Sequence, residues 1–534
     1  MFEALDRFRD LFGARPLFVA VAVLALLHVT GRPSDRAGRY GRHQWGGVTT
    51  FLALAGVASL ALYAAILIWY TLDRHFFDYA EPSVVAISWL FRLGQPVYHV
   101  PASAERYSHI YGPLTFMLHG WILGAFGPGI LVSKLLSAAA AAAGLVLTFM
   151  AARRHVSAPR AISLAGVAAL LLLGFKNFSY WTRPEPLQTL AVAVSLAIAV
   201  AGRGMGAALA VGLASGVLWN LKITGPLYSL PILLMLERRS GWRACATAVA
   251  VGMITAALPF VLFENVSFAN YLYWVRLSAN TGLLLSTLKQ NLEWAMYFGL
   301  PLLLAYFSGP PRSIEPMWVR SVAALGAGMV VLAIAAAKPG AGPYHFMPFL
   351  PVIVYLVAWG TKDVTSNTLA EPMVPRAAIA FIVAAITVAV AQQSIFIATM
   401  MERHTRDEAA DIERFARAHH GVVEMGYGTT EALSLARPIL VFRTGTYLID
   451  QPAVREHQLE GLEMPRATLD ALAGCRAKYW LIPKGEAPFA GRNAYAAVFQ
   501  RPIFPDGFRD AFLASHTRSG RTEYYDVWEC TASR

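Results

Sequence analysis

Charge is scarce in this chain: Asp, Glu, Lys and Arg make up 15% of its 534 residues, against about 25% in an ordinary soluble domain. Hydrophobic residues reach 56%, more than a soluble core absorbs, so a soluble enzyme is excluded. Cysteine is nearly absent, with three residues in the whole chain. No Cys/His spacing of the kind that holds zinc occurs. Internal repeats of fixed period are also lacking, which argues against a transporter built from inverted repeats. Nor is there a basic patch interleaved with aromatics, so the net charge of +12 does not mark a nucleic-acid partner.

What the chain has instead is long apolar blocks with no polar face, at 129–152, 205–219, 243–263, 318–336 and 376–398. About 20 apolar residues span a bilayer core as a helix. The basic excess lies before residue 400 and gathers in short stretches: 31–43, 153–160, 202–204, 237–243, 310–320 and 361–376. Placing all of these on the cytoplasmic side gives spans near 48–72, 129–152, 160–175, 186–201, 205–220, 225–236, 243–263, 293–308, 318–336, 344–360 and 376–398. The expected fold is a polytopic all-α membrane bundle of about eleven transmembrane helices with a small C-terminal mixed α/β soluble domain. Three divisions follow: a cytoplasmic or interfacial segment 1–47, a transmembrane domain 48–399, and a tail 400–534 on the outer side.

The count holds only if YGPLTFMLHGWILGAFG (111–127) does not cross. With about 15 residues, several aromatics and His119 at its middle, it reads as an amphipathic helix lying on the outer interface. EPSVVAISWLFRL (81–93) reads the same way, so 73–128 is a long outer loop, and 264–292 is a second one rich in Tyr, Trp and Asn. The apolar run Leu17–Val29 follows a mixed-charge start without a small-residue cleavage site. It predicts a short span or interfacial helix rather than a cleaved signal. In the tail, a polar helix over 402–419 leads into short apolar runs separated by turn residues. Cys475 and Cys530 both lie there and can pair if the tail meets an oxidising compartment; Cys245 starts an apolar block and reads as core.

Ionisable groups at membrane depth are costly and face a cavity or a partner. Five groups fall at outer ends of spans. HFFDYAEP (75–82) holds Asp78 and Glu81, three residues apart, on one face if a helix starts near Asp78; capping of that helix is the plainer account. NFSYWTRPEP (177–186) holds Arg183 and Glu185, otherwise an ordinary polar turn. WNLKITGP (219–226) places Lys222 within apolar sequence, where a snorkelling lysine is the alternative. KPGAGPYHFMPFLP (338–351) holds Lys338, Tyr344 and His345, and a lone histidine is more often structural. Lys134 sits one turn into its span and can snorkel outward. Their shared side is what gives them weight.

The order of these features resembles the GT-C superfamily of membrane glycosyltransferases, which includes protein O-mannosyltransferases and the lipid A aminoarabinose transferase. DYAEPSVVAISWLFRLGQPVY (78–98) resembles that family's acidic stretch after the first span. Residues 111–154 resemble its proline-led interfacial helix and following span, LKITGP (221–226) its Lys-Gly-Pro-like break, and GPYHFMPFLP (342–351) its aromatic-Pro lead into a late span. The likeness covers about 50–400; Asp and Glu are not adjacent in DYAEP, and the tail resembles no domain of the family. The resemblance implies transfer of a sugar from a polyprenyl-phosphate donor to an acceptor hydroxyl at the periplasmic face of a bacterial inner membrane, with inversion. The acceptor would be a glycan, a lipid or a protein. Asp78 would be the base, with Glu81 or Glu185 orienting the acceptor or sharing that role. Arg183, Lys222, Lys338, His345 and Lys134 would hold the donor phosphate. Two carboxylates can hold a divalent metal, but no third ligand is evident and no obligate metal or other cofactor is expected. A transporter or flippase of a lipid-linked sugar is the alternative, though it needs neither the long outer loop nor the outer domain; a non-catalytic assembly protein leaves the charges unexplained.

Overall fold

The computed structural model describes residues 41–175, 178–308, 315–362, 373–429, 432–491 and 502–531. The apolar run 17–29 and much of the 361–376 linker lie outside them. Among the described residues, eight helices are long and apolar enough to cross a membrane. Helices also stand at three further expected spans, Ala158–Gly174, Gly225–Ser240 and Leu285–Ser308. The chain is a multi-pass membrane protein of mostly helical structure with a small C-terminal sheet.

Two compact units make up the chain. The first comprises residues 1–70, 137–256 and 283–399. Its most enclosed spanning segments are Pro343–Gly360, 89% of whose residues are buried, and Pro184–Ala201, at 72%. Phe51, Leu54 and Ile254 stay more than half exposed, as lipid-facing side chains do. Between helices, small residues allow close approach. A Cβ at Gly56 would stand 2.7 Å from the Ile162 carbonyl oxygen, and one at Gly212 would stand 2.7 Å from that of Ala248. Alanine at either position would push two helices apart.

The second unit gathers residues 71–136, 257–282 and 400–534. Helices form at both expected interfacial segments, Ala80–Arg92 and Pro113–Phe126. They share a core with Val266, Tyr271, Trp274 and Leu277 from the 257–282 stretch and with Val441, Tyr447 and Ala453 from the tail. The tail therefore packs as part of this unit. Its four-stranded sheet has β1 (Val423–Met425) parallel to β2 (Tyr479–Pro483), then β4 (Tyr525–Cys530) and β3 (His516–Arg521), both pairings antiparallel. Trp480 lies opposite Trp528, and the register shifts between Arg518 and Gly520. Cys475 and Cys530 form a disulfide across 55 residues. The helix expected over 402–419 is broken. A long helix ends at His404, and Asp407 accepts the Ala410 N–H at 3.1 Å to start Glu408–Ala418 afresh. An Asp at that position competes for backbone donors and so favours a cap over continuation.

A buried polar knot ties the tail to the start of Ala80–Arg92. The Arg437 guanidinium donates to the Tyr79 carbonyl and the Ser83 hydroxyl, both at 2.8 Å, to the Asp450 carboxylate at 3.0 Å, and to the Tyr447 hydroxyl at 2.7 Å. Tyr447 in turn donates to Asp450 at 2.6 Å. Arg437, Ser83, Tyr447 and Asp450 are buried and Tyr79 is half-buried, and such a network holds firmly only because its donors and acceptors meet.

Candidate active site

Proline and glycine set the site of the first unit. Pro184 opens the helix Pro184–Ala201 and puts Glu185 in its first turn, where the helix N-terminus favours an anion. Lys222 falls in the break between Gly204–Leu221 and Gly225–Ser240, in extended backbone. A Cβ at Gly225 would stand 2.6 Å from Trp219 Cα, so only glycine lets the chain turn so sharply beside the lysine. His345 and Tyr344 lie on a 3-10 helix, Pro343–Phe349, that leads into Leu350–Gly360.

These breaks bring four of the expected residues together. Lys222 Nζ donates to Glu185 Oε1 at 2.7 Å and stands 3.2 Å from His345 Nδ1. Arg183 Nε lies 3.4 Å from Glu185 Oε2. The Arg183 guanidinium stacks over Phe178 at 4.8 Å and over Tyr344 at 5.0 Å, two rings that stack on each other at 4.4 Å. The Tyr228 hydroxyl donates to the His345 carbonyl at 2.7 Å and fixes that turn. Arg183, Glu185, Lys222 and His345 are all buried, while Lys338 is half-buried and close enough to act on Lys222 electrostatically. Two buried cations, with a third nearby, thus gather around the Glu185 carboxylate. Burial lowers the Lys222 ammonium to about 8, against the pull of Glu185. Sequence reasoning missed Gln188, one turn beyond Glu185 on the same face. Its amide is fully buried and has no hydrogen-bond partner among the described residues.

Asp78, Glu81 and Lys134 belong to the second unit. The helix begins at Ala80, so Asp78 precedes it and accepts the Ala80 N–H at 2.8 Å; the two carboxylates do not share a helical face. Asp78 is half-buried. Glu81 is fully buried and accepts the N–H groups of Phe77 at 3.2 Å and Asp78 at 3.4 Å. It braces the loop that carries Asp78. Lys134 does not snorkel: it is buried, and its ammonium donates to the carbonyls of Asp73 at 2.9 Å and His75 at 2.7 Å. With those bonds it holds the turn after the first span.

Asp73 and His75 also escaped the sequence reading. Asp73 Oδ1 accepts from the His75 backbone and lies 2.9 Å from its Nδ1, while His75 Nε2 lies 2.9 Å from the Arg406 carbonyl and 3.4 Å from Glu408. Both ring nitrogens face acceptors, so the imidazole is doubly protonated. Burial disfavours that charge, but the Asp73 and Glu408 carboxylates outweigh it and raise His75 to about 9. The signal was Asp-Arg-His at the edge of an apolar run, which passes for an ordinary span boundary. Among the described residues, no three His, Cys, Asp or Glu side chains converge as a metal site.

Residues 109–359 match Glycosyltransferase family 87, a family of GT-C type. No curated protein matches the chain. Among solved structures, ArnT from Cupriavidus metallidurans in the apo state aligns with a TM-score of 0.52 at 13% identity, over 89% of this chain and 98% of that one. The same enzyme bound to undecaprenyl phosphate aligns at 0.46, with the same identity and coverage. Arabinosyltransferase EmbB from Mycobacterium smegmatis aligns at 0.40 and 16% identity, over 66% of this chain and 34% of that one. The apo ArnT alignment bears on fold alone, and the family match spans the segments that carry Glu185, Lys222 and His345. Residues 109–359 thus match a GT-C-type glycosyltransferase family, and the fold is similar to that of a membrane enzyme, ArnT.

Proposed function

We propose that the protein transfers a sugar from a polyprenyl-phosphate donor to an acceptor hydroxyl, with inversion, at the periplasmic face of a bacterial inner membrane. The observation that carries this reading is the clustering of buried cations among apolar helices: Arg183 and Lys222, with Lys338 nearby, around the carboxylate of Glu185. Cations held in place among apolar helices stabilise an anion brought beside them, and a lipid phosphate brings one at the depth where its chain stays in the bilayer. The Cys475–Cys530 disulfide supports a tail in an oxidising compartment.

In the reaction the acceptor oxygen attacks the anomeric carbon and loses its proton to a carboxylate. The bond from that carbon to the phosphate oxygen breaks, and the lipid phosphate leaves with the electron pair. Cations stabilise the charge that develops on it, the task of Arg183 and Lys222. Asp78 is the base: of the three carboxylates expected to act, it alone is partly open to solvent, whereas Glu81 and Glu185 are buried and engaged. Glu185 is a positioning residue that holds the two cations in place.

Reconstituted protein supplied with a polyprenyl-phosphate sugar tests the assignment. Asp78→Asn is expected to lower kcat by about 10²–10⁴ while donor affinity and thermal stability stay as in the wild type. Asp73→Asn, made beside it, is expected to cost stability first, because Asp73 anchors His75. Unchanged turnover in Asp78→Asn removes it as the base.

A further inference from the structure

Glycine lets the helices Ala80–Arg92 and Pro113–Phe126 close against each other. A Cβ at Gly120 would stand 2.6 Å from the Ser88 carbonyl oxygen, and one at Gly124 would stand 2.5 Å from Arg92 Nε. The Arg92 side chain thus lies across Gly124. Beside it a groove of about 590 Å³ opens, lined also by Trp121 and, from the 257–282 stretch, by Phe263 and Asn265. The groove is open to the surface: Arg92 and Gly124 are exposed, and Trp121 is 45% exposed.

Arg92 is the one charged residue in the lining, and its guanidinium has no hydrogen-bond or ion-pair partner among the described residues. The backbone at the end of its helix does not draw it back. The N–H groups of Leu93 and Gly94 close on the Trp89 and Phe91 carbonyls at 3.0 Å each, and the Asn265 amide donates to the Gln95 carbonyl at 3.0 Å. A guanidinium with its fork open pairs with a phosphate through two parallel hydrogen bonds. Depth follows from the chain. The apolar helix Trp242–Leu262, long enough to cross a membrane, ends one residue before Phe263. Leu93, Phe126 and Leu262, next in sequence to lining residues, are exposed, and tryptophan favours the level where hydrocarbon gives way to headgroups.

We infer that this groove seats the headgroup of an acidic phospholipid, with its phosphate on the Arg92 guanidinium and its ester region against the Trp121 ring. The exposed apolar side chains beside the groove give the acyl chains a surface to follow, which a free phosphate has no means to use. The seat is separate from sugar transfer and does not rest on that reading. Arg92 also lies in the last turn of its helix, where a cation offsets the helix dipole; that role alone would show in stability and not in lipid choice.

Native mass spectrometry of the full-length protein in detergent micelles, titrated with phosphatidylglycerol or phosphatidylcholine, tests the seat. The wild type is expected to retain phosphatidylglycerol more tightly. Arg92→Gln should weaken that retention about fivefold. Gly124→Leu keeps the charge but fills the groove, and it should weaken retention as much while leucine preserves the helix. Arg466→Gln, which removes a 93% exposed cation of the tail, should leave retention unchanged. Undecaprenyl phosphate affinity should match the wild type in all three variants, and excess inorganic phosphate should not displace phosphatidylglycerol. Equal retention of the two lipids by the wild type overturns the inference, as does displacement by inorganic phosphate or an equal loss in Arg466→Gln. Retention that survives Arg92→Gln or Gly124→Leu overturns it too, and with a lower Tm in Arg92→Gln it leaves only the dipole role. A parallel loss of undecaprenyl phosphate affinity would place Arg92 in the donor site instead.

Discussion

Replacing Glu185 with glutamine keeps shape and one hydrogen-bond acceptor for Lys222 but deletes the carboxylate that pairs with both Lys222 and Arg183. Breaking a buried ion pair from one side costs about 3–5 kcal/mol. The retained acceptor argues for the lower end, so a loss of about 3 kcal/mol is expected. With that negative charge gone, Lys222 and Arg183 should then bind a phosphate more tightly than in the wild type. Differential scanning fluorimetry in nanodiscs, with and without undecaprenyl phosphate, reads both effects. At equal free lipid the gap between wild type and Glu185→Gln should narrow by at least about 1 kcal/mol, equivalent to roughly fivefold tighter binding. Kinetics separate this from direct catalysis. A base would lose kcat by about 10²–10⁴ with stability and affinity unchanged. That pattern, or a lipid shift equal in both proteins, refutes the assignment of Glu185 to holding the cations.

Two further expectations concern the second unit. Cys475→Ser with Cys530→Ser opens a 55-residue loop; loop-closure entropy puts the loss at about 4 kcal/mol, visible as a lower Tm that reductant reproduces in the wild type and leaves unchanged in the double variant. His75 is raised from 6.5 to about 9 by Asp73 and Glu408 against burial, so its contribution is complete below about pH 6.5 and is lost as pH rises through about 9. It amounts to about 3 kcal/mol. A melting profile between pH 6 and 10 should show that decline in the wild type and not in His75→Phe, and parallel profiles contradict the charged imidazole.

The ionic group of the first unit was legible in the sequence because charge among apolar residues is expensive, and the chain breaks around Pro184, Gly225 and Pro343 announce themselves by composition. Helices 80–92 and 113–126 were legible for the same reason: their length and aromatics mark them. Lys134 was misread because a lysine one turn inside a span looks alike whether it reaches water or two backbone carbonyls. Only the folded turn at Asp73 and His75 distinguishes the cases. The core shared by Ala80–Arg92, 257–282 and the tail had no sequence signal at all. Neither Ser83 nor Arg437 is unusual alone, and their hydrogen bond joins residues 354 positions apart.

That 354-residue separation has a consequence for biogenesis. Translation at about 5–20 residues per second puts some 20–70 s between synthesis of Ser83 and of Arg437. Through that interval the 71–136 stretch is inserted while the donor that will cap the Tyr79 carbonyl is still unmade, and β4, which closes the sheet, comes later still. Stretches paired over such distances close slowly. Assembly of the segment carrying Asp78 is thus timed by the last fifth of the chain. A premature stop in the tail would leave the first unit's ionic group intact in sequence but deprive Asp78's loop of its support.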